Sequence, residues 1–144
     1  MNIVIINGPN LNLLGKRKPE IYGTTSFDDF LPSLYAEFAG HDIIALQSNH
    51  EGQIIDWLHQ YGFGRETGIV LNAAGYTHTS VSIRDAVEAV NAPVVEVHIS
   101  DITRREPFRH TSLLTDVCRH SIIGHGLDGY REAVRWLVDD CYEQ

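Results

Sequence analysis

An α/β domain built around a parallel sheet is what this sequence predicts, on three observations. Five short runs are rich in β-branched and aliphatic residues: 2–6, 42–46, 68–72, 93–99 and 121–124. Stretches with helical spacing of apolar residues separate them. The runs themselves are nearly continuous in apolar character, as strands covered on both faces should be.

Each element has its own signal. The first strand is Ile3-Val4-Ile5-Ile6 and its flanks. The first helix is expected to begin near Ser26, where Ser26-Phe27-Asp28-Asp29 reads as a capping signature. Its apolar stripe is Phe27, Leu31, Leu34 and Phe38. Pro32 falls inside that stripe, which predicts a kink or a different helix boundary. A second helix is expected over 52–61, with Ile54, Ile55, Leu58 and Tyr61 on one face. A third spans 80–90. The last starts near Asp128 and carries Tyr130, Val134, Leu137 and Cys141 at helical spacing. Five strands alternating with helices suggest a flavodoxin-like sheet of order 2-1-3-4-5, in one domain filling residues 1–144.

Bulk properties narrow the function. A net charge of −8 argues against a nucleic-acid partner, which needs a basic stripe. No apolar stretch approaches the roughly 18 residues that span a membrane. The N-terminus reads as a strand, without signal-peptide features. Cys118 and Cys141 make no disulfide framework, so a reduced cytoplasm is the expected setting.

In open parallel sheets, ligands bind beyond the carboxyl ends of the strands, near the switch in strand order. Three segments reach that edge here. After the first strand comes NGPNLNLLGKRKPEIYG, residues 7–23, with three asparagines, three adjacent basic residues and one tyrosine. After the third comes Asn72-Ala73-Ala74-Gly75-Tyr76-Thr77-His78, and the fourth ends in Glu96-Val97-His98-Ile99-Ser100. Tyr22 beside Arg17 reads either as a general base, since a nearby cation favours phenolate, or as an aromatic that packs the loop. Strand alternation puts Glu96 and His98 on one face, as an oriented acid–base pair or a structural one. Asn72 and His78 flank a sharp turn and suit a substrate hydroxyl or carboxylate, or simply the turn itself. Arg104, Arg105 and Arg109 form a second basic cluster, from which at least one side chain can reach an anion. Eight histidines match no common zinc spacing, and no dinucleotide or phosphate-loop glycine motif occurs. The two lysines, Lys16 and Lys18, both lie in the first loop, which disfavours a buried Schiff-base lysine.

These segments in order resemble the type II 3-dehydroquinate dehydratases. The resemblance is carried by NGPNLNLLG and RKPEIYG at 7–15 and 17–23, QSNHEGQIIDWLH at 47–59, LNAAGYTHTSVSIRDA at 71–86, VVEVHIS at 94–100, EPFRH at 106–110 and GHGLDGY at 124–130. It implies reversible dehydration of 3-dehydroquinate to 3-dehydroshikimate, in the shikimate route or quinate breakdown. It implies no metal or organic cofactor, and a homododecamer built as a tetramer of trimers. By motif position it makes Tyr22 the base, His98 the acid, Arg17 the stabiliser of charge at Tyr22, and Asn10 the holder of a water or the leaving hydroxyl. Asn72, His78, Asp85 and Arg109 become substrate contacts, with Asp85 reaching a neighbouring subunit's site. The Ile99 and Ser100 amides receive the substrate carboxylate, and 17–23 forms a lid. Departures are Lys16 and Lys18 in the lid, Asp101 in place of a more usual asparagine, and His110-Thr111-Ser112-Leu113. A flavin- or nucleotide-binding domain and a non-catalytic homologue are the competing readings.

Overall fold

The computed structural model describes residues 1–140. Its strands are β1 (Asn2–Asn7), β2 (Asp42–Gln47), β3 (Thr67–Asn72), β4 (Val94–His98) and β5 (His120–Ile123). Its α-helices are α1 (Pro19–Tyr22), α2 (Phe27–Glu37), α3 (Glu51–Tyr61), α4 (Val81–Ala89) and α5 (Asp128–Asp139). All strand pairs are parallel and the order is β2-β1-β3-β4-β5, the flavodoxin-like arrangement expected from the sequence.

The period-two geometry of a strand divides each apolar run between two cores. Ile3, Ile5, Val70, Val95 and Val97 face α2 and α5, packing with Phe27, Leu34, Val134 and Leu137. Val4, Ile6, Ile69, Leu71 and Val94 face α3 and α4, packing with Ile54, Leu58, Ile83 and Val87. Fully burying side chains of this size contributes about 1.5–3 kcal/mol each. Serine caps start α2, where the sequence expects one, and α4. Ser26 Oγ accepts from Asp29 N at 3.1 Å, and Ser80 Oγ accepts from Ile83 N at 2.9 Å.

Three expectations need refinement. Pro32 lies inside α2, so no helix boundary falls there. Proline leaves the Asp28 carbonyl without its helical donor, but both residues are exposed, so water can satisfy it. Strand β2 is not covered on both faces: it is an edge strand, with Ile44 41% exposed. The segment 17–23 is not a plain loop, because Pro19 opens one helical turn there. Cys141, placed by its spacing on the last helix, lies outside the described residues.

One buried contact ties the sheet's carboxyl edge together. β1 and β3 are in register, so Asn7 and Asn72 end them side by side. Tyr130 of α5 is fully buried, and its hydroxyl donates to Asn7 Oδ1 at 2.7 Å. Asn72 Nδ2 in turn donates to that hydroxyl at 2.9 Å. Burial pushes the Tyr130 phenol well above its usual pKa, so it stays neutral and keeps its proton for Asn7. Tyr130→Phe would strand an acceptor on Asn7 and a donor on Asn72 without water. It should lower unfolding stability by about 1–3 kcal/mol, read from urea denaturation. An unchanged urea midpoint would refute this account.

Candidate active site

The loops leaving β1 and β3 meet directly above the Asn7–Asn72 pair. Gly8 N donates to Asn72 O at 2.8 Å. A Cβ at Gly8 would lie 2.7 Å from Ala73 O, so only glycine permits this approach without moving backbone. Gln47 Nε2 donates to Gly8 O at 3.2 Å and to Asn49 Oδ1 at 3.1 Å. Asn49 Oδ1 also accepts from Asn10 N at 3.0 Å. The start of the long loop is thus stitched to β2 and β3 before it turns outward.

Beyond this junction lies a pocket with about 530 Å³ of open space, solvent at its mouth included. Arg17, Tyr22, Asn72, His78, His98, Ile99, Ser100 and Arg109 all line it, so eight of the ten expected site residues converge. Asn10 and Asp85 do not. Asn10 sits exposed in a left-handed conformation (φ 71°) just before the short 3-10 turn Leu11–Leu13. Asp85 is exposed on α4.

Tyr22 sits at the end of α1, which is bracketed by left-handed residues, Lys18 (φ 40°) and Gly23 (φ 82°). Two guanidinium groups surround its ring. Arg17 Cζ lies 5.0 Å and Arg105 Cζ 5.4 Å from the ring centroid. Arg105 Nη1 donates to the Tyr22 hydroxyl oxygen at 2.7 Å and approaches Ser100 Oγ at 3.4 Å. A cation donating to an oxygen favours negative charge on that oxygen. Arg105, which the sequence suggested could add to the field of Arg17 at Tyr22 but which was not among the ten expected site residues, is the member of the 104–109 cluster that reaches the phenol. Its neighbour Arg104 is exposed and leans toward Asp101 at 3.6 Å. The 3-10 turn Ile102–Arg104 separates their directions, a feature invisible in a run of basic residues.

His98 is 5% exposed and its Nε2 meets Glu96 Oε2 at 2.6 Å. A carboxylate only accepts, so Nε2 carries the hydrogen and Nδ1 is the nitrogen left to face a ligand. Glu96 is fully buried, and burial alone would raise its pKa. The His98 ring, with donors from Ser112 and Thr115, outweighs burial and lowers it from 4.5 to about 2. His78 lies across the pocket. Burial lowers its pKa most, opposed by its bond to Thr111, with His98 and Arg109 adding to the depression. Its Nδ1 is 2.9 Å from the Thr111 carbonyl and must donate there, which makes Nε2 the acceptor of the neutral ring. Asn72 is partly spent on structure, since Ala74 N donates to its Oδ1 at 3.1 Å while Nδ2 serves Tyr130. Asp101 turns away from the site: its Oδ1 accepts from Thr103 N at 3.0 Å and Thr103 Oγ1 at 2.6 Å. Lys16 and Lys18 are exposed and outside the pocket lining.

A phenol among cations facing an imidazole backed by a carboxylate defines an acid–base enzyme on a flavodoxin-like scaffold. The family described as Dehydroquinase class II matches residues 1–138, and the chain belongs to that family. A 3-dehydroquinate dehydratase of Rhodopseudomonas palustris is 49% identical over 138 residues, covering 94% of this chain and 91% of the relative. One from Halalkalibacterium halodurans is 47% identical over 139 residues, covering 95% of each. The crystal structure of a type II dehydroquinase from Butyrivibrio crossotus superposes with a TM-score of 0.91 at 43% identity, covering 96% of this chain and 98% of that one. These likenesses do not favour the flavin-binding reading.

The Glu96 environment predicts an acid limb of stability. Its folded-state pKa lies below the ordinary 4.5, at about 2. Its ionised contribution is therefore complete above about pH 5 and is lost as pH falls through 4.5 toward 2. A shift of this size corresponds to roughly 3 kcal/mol. Glu96→Gln should be destabilised against the native protein at pH 7, and the gap should narrow between pH 5 and pH 3 in urea titrations. A gap constant across that interval would contradict the assignment.

Proposed function

We infer that this chain is a type II 3-dehydroquinate dehydratase, removing the C2 proton of 3-dehydroquinate and expelling water through an enolate to give 3-dehydroshikimate. The observation that carries this reading is the Arg105–Tyr22 contact at 2.7 Å in one pocket with the His98–Glu96 pair at 2.6 Å, in a chain of this family. The reaction needs a base beside a ketone, a stabiliser for the enolate oxygen and an acid for the leaving hydroxyl. Tyr22, as phenolate, takes the C2 proton, with Arg17 and Arg105 balancing its charge. The electron pair of that C–H bond enters the enolate, whose oxygen is held by a water; the family resemblance gives that water to Asn10, which is exposed outside the pocket lining. Collapse of the enolate forms the ring double bond and breaks the C–O bond, while His98 protonates the departing hydroxyl. Because Nε2–H is given to Glu96, the transferred proton leaves from Nδ1. Arg109 and the backbone amides of Ile99 and Ser100 receive the carboxylate, and His78 and Asn72 read the hydroxyls. None of these steps calls for a metal or organic cofactor. Among the described residues no group of three or more His, Cys, Asp or Glu side chains is placed to hold a metal ion.

Assembly and setting complete the reading. Asp85 lies outside its own pocket, which suits a residue serving a neighbouring subunit, in a dodecamer of four trimers. The enzyme works in the cytoplasm, in the shikimate route or in quinate breakdown. Among the described residues no helix is long and apolar enough to cross a membrane.

Kinetic, exchange, binding and light-scattering experiments test this. In an ultraviolet assay for the conjugated enone, Tyr22→Phe should lose about 10²–10⁴-fold in turnover while substrate still binds. His98→Ala should lose a similar factor in elimination yet retain exchange of the C2 proton with deuterated solvent. More than a tenth of native turnover in Tyr22→Phe would move the base elsewhere. Light scattering should give a particle of about twelve chains, an estimate resting on the family's assembly and on symmetric closure of homo-oligomers. Asp85→Ala should weaken substrate binding in that particle. A fully active monomer would overturn the shared site.

A further inference from the structure

Glu96 is held by more than His98. Its Oε2 also accepts from Ser112 Oγ at 2.5 Å. Its Oε1 accepts from Thr115 Oγ1 at 2.6 Å and from Ser121 Oγ at 2.8 Å. A carboxylate offers about four lone-pair sites, and here four donors fill them, two on each oxygen. The donors come from three places in the chain: β4, the segment 111–116, and β5. Glu96 itself is fully buried, so water takes no share.

Orientation of His98 alone does not require this. A single acceptor behind Nε2 fixes the ring, and a buried ion costs several kcal/mol before it gains anything. Three added hydroxyl donors make sense if the charge is to be kept and its strength set. Each hydroxyl draws electron density from the carboxylate and weakens its hold on the proton of the imidazole. We propose that Ser112, Thr115 and Ser121 are positioning residues for the proton-donating step. Together they hold Glu96 as a saturated anion that points the His98 Nδ1 proton toward the leaving group without gripping it. This rests on the reading of His98 as the acid. Ser112 has a second duty, since its Oγ also accepts from Leu114 N at 3.1 Å, which leaves Thr115 and Ser121 as the clean probes. Other titratable groups around the pair are His78 from the turn after β3, Arg109 beside it, and Cys118 after the 111–116 segment. Burial and Glu96 push the Cys118 thiol far up, so it stays neutral and adds no charge of its own.

Three readouts on Thr115→Val, Ser121→Ala and the double variant test the idea. With fewer donors on Glu96, the His98–Glu96 pair should keep its proton to higher pH. The alkaline limb of the kcat profile should move up by about one pH unit in the double variant, with turnover at pH 7 falling about tenfold, as expected for a weaker acid. Exchange of the substrate's C2 proton should stay near the native rate, because it reports the base and not the acid. Nitrogen chemical shifts of the His98 ring, followed by NMR without substrate, should show the same displacement of the titration. Thr115→Ser should restore all three. If stability falls while the ring titration stays put, the hydroxyls are packing groups and the proposal is wrong. If exchange and elimination fall in equal proportion, the effect is not on proton donation and the proposal is equally wrong. If the ring titration moves but turnover does not, the shell tunes His98 as proposed, and the role of His98 as acid is what fails.

Discussion

A single hydroxyl, that of Tyr130, holds the carboxyl ends of β1 and β3 at a fixed spacing. It accepts a hydrogen bond from Asn72 and donates one to Asn7, so the bond direction through the three side chains is set. The functional loops after β1 and β3 start from that line. Gly8 leaves β1 onto the Asn72 carbonyl, and the turn carrying His78 leaves β3 from the other side. The pair sits at the switch in strand order, where an open parallel sheet leaves its natural crevice. The tyrosine belongs to α5, at the far end of the chain, so the pocket is complete only when the last helix has docked.

Charge in the pocket is distributed with a direction. Two guanidinium groups gather at Tyr22, and one buried carboxylate lies behind His98. The first places a cationic donor at the phenol oxygen; the second places an anionic acceptor behind the imidazole. A chain of net charge −8 concentrates several of its few cations at this edge. That concentration attracts a carboxylate substrate in spite of the overall sign, because short-range fields in a cleft outweigh screened distant charges.

Much of this was legible in the sequence, for reasons that can be named. Apolar runs broken by helical spacing give five strands because burial on two faces demands uninterrupted hydrophobicity. Asn72 and His98 were found because they end strands and His78 because it follows one through a short turn, and strand ends share one edge; Ser100 came from the family resemblance. What lay beyond reach was direction in irregular backbone. Arg105 and Arg104 are adjacent in sequence, but one reaches the phenol and the other an exposed carboxylate, a split made by one 3-10 turn. Asp101 stands where the resembling family more often has asparagine, and its carboxylate caps that same turn. The hydroxyls on Glu96 lie 16, 19 and 25 residues away from it, and no local pattern marks a serine or threonine that will face a buried carboxylate.

The two chemical partners are mounted very differently. His98 ends a central strand and is tied through Glu96 into the sheet, whereas Tyr22 stands on one exposed helical turn between two left-handed residues. Variation therefore falls unevenly on the enzyme's two half-steps. Changes in residues 16–23 can retune proton removal at little expense to folding. Changes around the proton donor must pass through the hydrophobic interior and be tolerated by the whole fold. The lysines that flank Arg17 are a change of the first kind, whereas Ser112, within the departing run 110–113, is one that had to fit a buried carboxylate.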